Sequence, residues 1–304
     1  MSRAANILGG PARAICWLVD LVVGAGFAAL RALGPDRASA LGGAVMRAIG
    51  PLLPSHRVGA RNLRLAMPEL DARARARILC EAWDNLGRMS CEYVHADRIA
   101  EFDRAMTGPQ RIETGASDQF IALRDDGKPA LFFTAHLANW EVPAIMAHRY
   151  GMDSAVLYRT PNNPYVARRI RRLRAGLMGQ LVRAGRTAPP ELAAALARGA
   201  HVGMLVDQRF GRGPHIPFFG RPAATNTLLA RLARHYDCPV HGVRAIRLDG
   251  VRFRLELTPA MELPRDAEGL IDVVGATAAI TAVVEGWVRE HPGQWLWMHR
   301  RWRM

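Results

Sequence analysis

The sequence predicts an α/β protein in which a mixed central sheet is flanked by helices, and a helical membrane anchor precedes it. Short β-prone runs alternate with helix-length segments from residue 130 to residue 290, which is typical of layers built around one sheet. A chain of 304 residues with 50% hydrophobic content can bury a sizeable core. No repeat or low-complexity linker divides the region, so we expect an anchor over 1–35 and one α/β domain over 36–304.

The anchor is predicted from residues 14–30, AICWLVDLVVGAGFAAL, an apolar run that only Asp20 interrupts. The run is slightly shorter than the ~20 residues that span a bilayer. A carboxylate at the centre of a membrane helix costs about 2.5 to 3.5 kcal/mol, although Asp20 is off-centre. No small-residue cleavage site ends the run before Arg31, which argues against a cleaved signal peptide. The helix either spans the membrane or lies in it, and a buried core helix is the alternative.

The elements that follow can be assigned in order. Residues 36–107 are rich in alanine and arginine and are interrupted by prolines, which predicts several helices, the longest at 71–94. The β-prone runs predict strands at 130–134, 154–158, 201–206, 239–246 and 251–258. The intervening segments predict helices at 139–148, 164–179, 190–198, 225–236 and 267–290.

The predicted helix at 164–179 is basic and amphipathic. It has apolar residues at helical spacing and five arginines within seven residues, namely Arg168, Arg169, Arg171, Arg172 and Arg174. Such a helix can bind an anionic membrane surface or an acidic protein, and a solvated face on an ordinary packed helix is the alternative. The net charge of +14 also favours an anionic partner, although coding bias toward arginine accounts for part of it.

His136 and Glu141 stand at a predicted strand-to-helix junction. His136 follows the strand at 130–134, Asn139 is a candidate N-cap, and Glu141 falls in the first helical turn. Residues five apart cannot share a helical face, but a first-turn carboxylate can reach back to an imidazole in the preceding loop and hold its tautomer. A neutral imidazole so held can take a proton from a hydroxyl near pH 7. We interpret the pair as a general base and its partner, and a structural or solvated pair is the alternative.

Arg159 follows the predicted strand at 154–158. Ligands of α/β sheets bind at the carboxyl ends of strands, and a guanidinium binds phosphate or carboxylate through two donors. We therefore predict that Arg159 binds substrate, and an ion pair with a residue such as Asp153 is the alternative.

Asp207, Gln208 and Arg209 end the predicted strand at 201–206, so the same rule brings them to the ligand edge. Asp207 can orient His136, Arg159 or the substrate, and the sequence leaves these roles open. A carboxylate that only caps the strand is the alternative.

Metal and cofactor motifs do not occur in the sequence. The cysteines, Cys16, Cys80, Cys91 and Cys238, form no CxxC pair or disulfide framework and are typical of a reducing compartment. HExxH, P-loop, GxGxxG and GxSxG motifs are all missing. We therefore expect no metal, no cofactor and no serine nucleophile.

Four motifs carry a resemblance to a known family: HLANWE (136–141), LYRTPNNP (157–164), LVDQR (205–209) and PFFGRPAATN (217–226). Together they resemble the lipid A late acyltransferases, which include lauroyl and myristoyl acyltransferases. The resemblance extends over about residues 50–304 and implies a glycerolipid-acyltransferase-like fold at the cytoplasmic face of the inner membrane. The family more often has glycine where this chain has Ala138.

The resemblance implies direct acyl transfer from an acyl carrier protein to a hydroxyl of a lipid A precursor, without a covalent enzyme intermediate. In that reaction His136 is the general base and Glu141 its partner, with Asp207 as a third catalytic residue. The oxyanion would be stabilised by backbone amides near Asn139 or by Arg159. The residues assigned to substrate binding are Asn139, Arg159, Asn163, Arg174, Gln208 and Arg209.

Two further segments have more than one interpretation. In the loop at 210–226, Phe218 and Phe219 look exposed, so the loop can cover an acyl chain or enter lipid, or else is packed by its own phenylalanines. Near the C-terminus, Trp295, Trp297 and Trp302 stand among Arg300, Arg301 and Arg303, which suits a membrane interface or stacking on single-stranded nucleic acid. The resemblance favours a role in the acyltransferase body.

Two other functions remain open. The same histidine and carboxylate would serve an acyltransferase that acts on a glycerophospholipid or an ornithine-type lipid. The positive charge would also suit a non-catalytic protein that binds membranes or nucleic acid, but such a protein has no need of the His136 and Glu141 arrangement. We therefore predict an acyltransferase that does not bind nucleic acid.

Overall fold

The predicted alternation of strands and helices is present in the computed structural model, which describes residues 10–302 except 107, 109 and 162, with only the backbone for 10–13. The helices are α1 Gly10–Leu33, α2 Pro35–Ile49, α3 Pro54–Ala66, α4 Ala72–Glu92, α5 Ala96–Ile99, α6 Ser117–Asp125, α7 Val142–Arg149, α8 Pro164–Ala175, α9 Ala188–Ala197, α10 Leu228–Tyr236 and α11 Val273–Glu290. The strands are β1 Ile112–Thr114, β2 Leu131–Thr134, β3 Ser154–Tyr158, β4 Gln180–Arg183, β5 His201–Leu205, β6 His215–Phe218, β7 Arg221–Ala224, β8 Val240–Arg247 and β9 Phe253–Leu257.

The central sheet has the strand order β1-β9-β8-β2-β5-β3-β4. Five neighbouring strands, from β8 to β4, run parallel, while β9 is antiparallel to β8 and β1 is parallel to β9. The predicted mixed sheet with flanking helices is therefore confirmed. The β6–β7 hairpin forms a separate two-stranded sheet.

The sequence pattern does not predict the edge strand β4, because the predicted helix extends to residue 179. In the structure α8 ends at Ala175, and β4 occupies Gln180–Arg183. Only Val182 of this strand is buried, so its sequence has neither a continuous apolar run nor a clean alternation. An edge strand of this kind is defined by its pairing with β3 rather than by its own pattern.

The N-terminal helix α1 includes one segment, Ala14–Leu33, that is long and apolar enough to cross a membrane, and the rest of the chain does not bury it. The carboxylate of Asp20, which interrupts the apolar run, pairs with Arg169 of α8, with Nε–Oδ1 and Nη2–Oδ2 distances of 3.0 Å. The charge inside the apolar run is therefore compensated by a cation from the body of the protein.

The aromatic residues near the C-terminus and in the β6–β7 hairpin are buried. Phe218 is 1% exposed and packs on Trp295 and Trp302, so the prediction of exposed phenylalanines is wrong. Phe219 packs edge-on against Phe218 and is also buried. Arg301 holds the hairpin against the C-terminal segment. Its guanidinium is stacked over Phe218 and donates to the carbonyl oxygen of Ala224. These indole rings are therefore core residues and do not offer faces to lipid or bases.

A buried ion pair links helix α4 to strand β8. Glu92 is fully buried and bonds to Arg247, with an Nη2–Oε2 distance of 2.9 Å. The hydroxyl of Ser39 also donates to Glu92, over 2.7 Å, and the side-chain amide of Asn139 donates to it over 3.0 Å. The network joins the helical N-terminal region to the loop that follows β2.

We expect Glu92→Ala to lower the free energy of unfolding by about 3 to 5 kcal/mol, because it leaves the Arg247 guanidinium buried without its carboxylate. The double variant Glu92→Met with Arg247→Met removes both charges and should recover most of this loss. Thermal and chemical unfolding in detergent would measure both effects. A single variant as stable as the wild type would contradict this account of the pair.

Candidate active site

The site lies where two adjacent parallel strands end. Strand β2 pairs with β5 in register from Leu131 and Val202 to Thr134 and Leu205, so both chains leave the sheet at the same edge. His136 comes two residues after β2, and Asp207 comes two residues after β5. The parallel pairing therefore brings an imidazole and a carboxylate together from positions that are distant in sequence.

Asp207 holds His136 through two hydrogen bonds. The imidazole Nδ1 lies 2.7 Å from Oδ1, and the backbone amide of His136 donates to Oδ2 over 2.9 Å. The indole of Trp295 also donates to Oδ2, over 2.8 Å. Burial disfavours the ionised carboxyl, but the charge and hydrogen bonds of His136 outweigh burial and hold the pKa of Asp207 well below its usual range.

The other imidazole nitrogen is the acceptor. An ionised carboxylate only accepts, so Nδ1 carries the proton and donates to Asp207. Nε2 then has a free lone pair, and the side-chain amide of Gln208 lies 3.1 Å from it and can donate to it. Trp140 packs edge-on against the ring, with centroids 4.9 Å apart. The arrangement fixes which imidazole nitrogen carries the proton in the neutral form of the ring.

Glu141 is not the partner of His136, so the prediction that this carboxylate reaches back to the imidazole is wrong. It pairs instead with Arg174 of α8, with an Nε–Oε2 distance of 3.0 Å. The guanidinium lies 5.6 Å from the ring centroids of both Tyr93 and Tyr158. Burial lowers the pKa of Arg174, but the charge of Glu141 outweighs it, and the net pKa is raised. Asp207 performs the orienting role, which was one of the three that the sequence left open.

The loop between β2 and α7 has a conformation that favours glycine. Ala138 has a φ of 48° and is fully buried, which explains why glycine would suit this position. Its carbonyl oxygen accepts from Asn85 over 3.0 Å, and its amide donates to Gln294 over 3.0 Å. These contacts hold the loop in a conformation that a residue with a Cβ rarely adopts.

Two of the predicted substrate-binding residues have structural roles instead. Asn139 is buried, donates to Glu92 and accepts from the backbone amide of Glu141, so its amide does not line the cavity described below. Asn163 accepts from the first amides of α8 and donates to the carbonyl oxygen of Cys16 in α1, over 3.2 Å. Both side chains are occupied in holding loops and helix ends.

A cavity of about 590 Å³ is lined by His136 and by residues of several strands of the sheet. Its polar lining includes Arg159, Arg174, Gln208 and Arg209, in agreement with their predicted position at the strand ends. Most of the rest is apolar and comes from β2, β3, β5, α6 and α7. Arg159 is exposed and has no carboxylate partner among the described residues. Asp153, the alternative partner that the sequence suggested, lies 3.6 Å from Arg198 instead.

Several residues that shape the site had no signal in the sequence. Trp295 reaches Asp207 because the C-terminal segment pairs with the loop after β2, through a bridge between Leu137 and Trp295. Glu92 and Asn85 support that loop from α4. In the part of the chain that the structure describes, no group of three or more His, Cys, Asp or Glu side chains could hold a metal ion.

Comparison with known proteins identifies the family. None of the curated proteins compared with the chain matches it. The sequence profile described as bacterial lipid A biosynthesis acyltransferase matches residues 10–304, which is essentially the whole chain and includes the loops that carry His136 and Asp207. The chain therefore belongs to the bacterial lipid A biosynthesis acyltransferase family.

Proposed function

We propose that the protein transfers a fatty acyl chain from an acyl carrier protein thioester to a hydroxyl of a lipid A precursor at the cytoplasmic face of the inner membrane. One observation carries the proposal: His136, whose Nδ1 is held by the buried carboxylate of Asp207, lines a large and mainly apolar cavity. That geometry suits the activation of a hydroxyl beside an acyl chain.

The reaction follows from the tautomer. Nε2 of His136 takes the proton from the acceptor hydroxyl, and Asp207 stabilises the imidazolium that forms. The hydroxyl oxygen attacks the thioester carbon and forms the ester bond, while the carbon–sulfur bond breaks. The imidazolium returns its proton to the departing thiolate. No group on the enzyme is acylated in this sequence.

The oxyanion requires a donor, and Arg174 is the group that we propose. The backbone amides of Glu141 and Val142, at the start of α7, already donate to Asn139, over 3.3 and 3.1 Å. The guanidinium of Arg174 lines the cavity and is held by Glu141, so it is a permanent, preorganised cation near the base. In this proposal Glu141 acts by positioning Arg174.

The acceptor and the membrane would be held by other cations. Arg159 and Arg209 line the cavity and form no ion pair within the described chain, which leaves their guanidinium groups free to bind phosphate. Arg168, Arg171 and Arg172 are exposed on α8, beside the apolar helix α1. We propose that residues 1–35 anchor the protein and that these arginines meet anionic lipid or the acidic carrier protein.

His136→Ala should lower the rate of acyl transfer by about 10² to 10⁴-fold, because it removes the general base. The measurement is transfer of labelled acyl chains from acyl carrier protein to a lipid A precursor by purified protein in detergent. His235→Ala, which changes an exposed histidine of α10, is the matched control and should keep the wild-type rate. Undiminished transfer by His136→Ala would refute the mechanism. A wild-type enzyme that consumes the thioester without acylating this acceptor would direct the search to another lipid hydroxyl.

Asp207→Asn should lower kcat by about 10³ to 10⁴-fold, because an amide can donate to Nδ1 and favour the wrong tautomer. The pKa of Asp207 is lowered, so the carboxylate stays ionised above the ordinary carboxyl pKa of about 4 and is lost only as the pH falls further. The defect of the variant should therefore persist at every pH above about 5. Rates measured across pH, with the exposed Asp249→Asn as control, would test this. Recovery of the variant to the wild-type rate at any of these pH values would contradict the role.

Glu141→Ala and Arg174→Ala should each lower kcat/KM, on the order of 10²-fold, because either change displaces the cation that faces the cavity. The double variant should lose no more than the worse single variant, since the pair acts as a unit. Arg77→Ala, which breaks an exposed pair with Glu81, is the control. Losses that multiply in the double variant would show that Glu141 acts independently of Arg174.

A further inference from the structure

Gly203 has no side chain, and this leaves open space on the side of the sheet that faces the cavity. It lies in the centre of β5, paired with Phe132 of β2 on one side and Val156 of β3 on the other. A Cβ built on Gly203 would meet no heavy atom within 4 Å. Side chains in the middle of a sheet normally pack against their neighbours, so the open space at Gly203 is room for something that is not protein.

The neighbouring glycine of the sheet shows the contrast. Gly242 of β8 pairs with Phe133, and a Cβ there would come within 2.7 Å of Phe133 and 2.9 Å of Trp287. That glycine is required by close packing on the opposite face of the sheet. Gly203 is not required by packing, because a Cβ there meets no atom and the residue lines the same cavity as His136.

The position of Gly203 fits the path of an acyl chain. It lies four residues before Asp207, which follows the same strand, so at ~3.3 Å per extended residue the two are at most about 13 Å apart. The two residues paired with it on the sheet, Phe132 and Val156, are apolar and also line the cavity. A chain whose carbonyl carbon lies at His136 would therefore pass over Gly203 as it runs into the cavity.

We propose that Gly203 is a specificity-determining residue, which sets how long an acyl chain the donor can carry by keeping the cavity open along the sheet. The proposal rests on the proposed function, since it assigns the occupant of the same cavity. A side chain at this position would occupy the space of the distal methylenes and would leave the reacting groups at His136 unchanged. Shortening Phe132, at the same level on the adjacent strand, would lengthen the available path.

The test compares donors within one enzyme preparation. Octanoyl, decanoyl, lauroyl, myristoyl and palmitoyl thioesters of acyl carrier protein are offered to the full-length wild type and to Gly203→Ala, Gly203→Leu and Phe132→Ala. Each excluded methylene should lower kcat/KM by about fourfold, so Gly203→Ala shifts the preferred length slightly and Gly203→Leu lowers use of the longest accepted chain on the order of tenfold or more. Phe132→Ala should shift the preference toward longer chains.

The readout is the ratio of long-chain to short-chain transfer, which does not depend on how much of a variant is folded. Gly286→Leu, at an exposed glycine of α11 whose Cβ would also meet no atom within 4 Å, is the matched control and should keep the wild-type ratio. Gly203 variants that keep the wild-type ratio would overturn the inference while leaving the acyltransferase function intact.

A binding measurement separates the inference from the proposed function. The Tm of the wild type and of Gly203→Leu is measured with free fatty acids of the same chain lengths, without acceptor or turnover. We expect the chain length that gives the largest rise in Tm to be shorter for Gly203→Leu. The same length dependence in both proteins would overturn the inference even if the lipid A precursor proved to be the wrong acceptor.

Discussion

The structure depends on burying one ionised carboxylate. Asp207 is 3% exposed, and a buried charge is strongly unfavourable unless hydrogen bonds replace its water. Three donors do so: the ring and backbone of His136 and the indole of Trp295. These donors come from the loop after β2 and from the C-terminal segment, so satisfying the carboxylate joins three distant parts of the chain. These contacts with Asp207 must form before the proton of the His136 imidazole is fixed on Nδ1.

A second buried carboxylate holds the same loop from the other side. Glu92 binds Arg247 and receives the amide of Asn139, three residues after His136. Ala138 lies between, at a φ that costs energy for a residue with a Cβ. The strain persists because its carbonyl and amide groups are both bonded, so the conformation of the loop is over-determined. The position of the base is therefore set by buried polar contacts as well as by strand β2.

The sequence predicts where the site lies better than it predicts the hydrogen bonds and ion pairs within it. The rule that parallel strands end at one edge brought Arg159, Gln208 and Arg209 to the cavity, as the structure confirms. The partner of Glu141 could not be predicted, because it depends on where α7 begins and on how α8 packs, and Arg174 lies far along the chain. The burial of Phe218 could not be predicted for a similar reason, since it depends on tertiary contacts with Trp295, Trp302 and Arg301 near the C-terminus.

The two carboxylates of the site suit two kinds of cation. Asp207 faces an imidazole, which changes its charge during proton transfer, and its lowered pKa keeps the carboxylate ionised to receive that charge. Glu141 faces a guanidinium, which remains charged throughout. In the proposed reaction, the separate pairs let the proton move through His136 while the charge at Arg174 stays fixed, as the proton transfer and the oxyanion develop together.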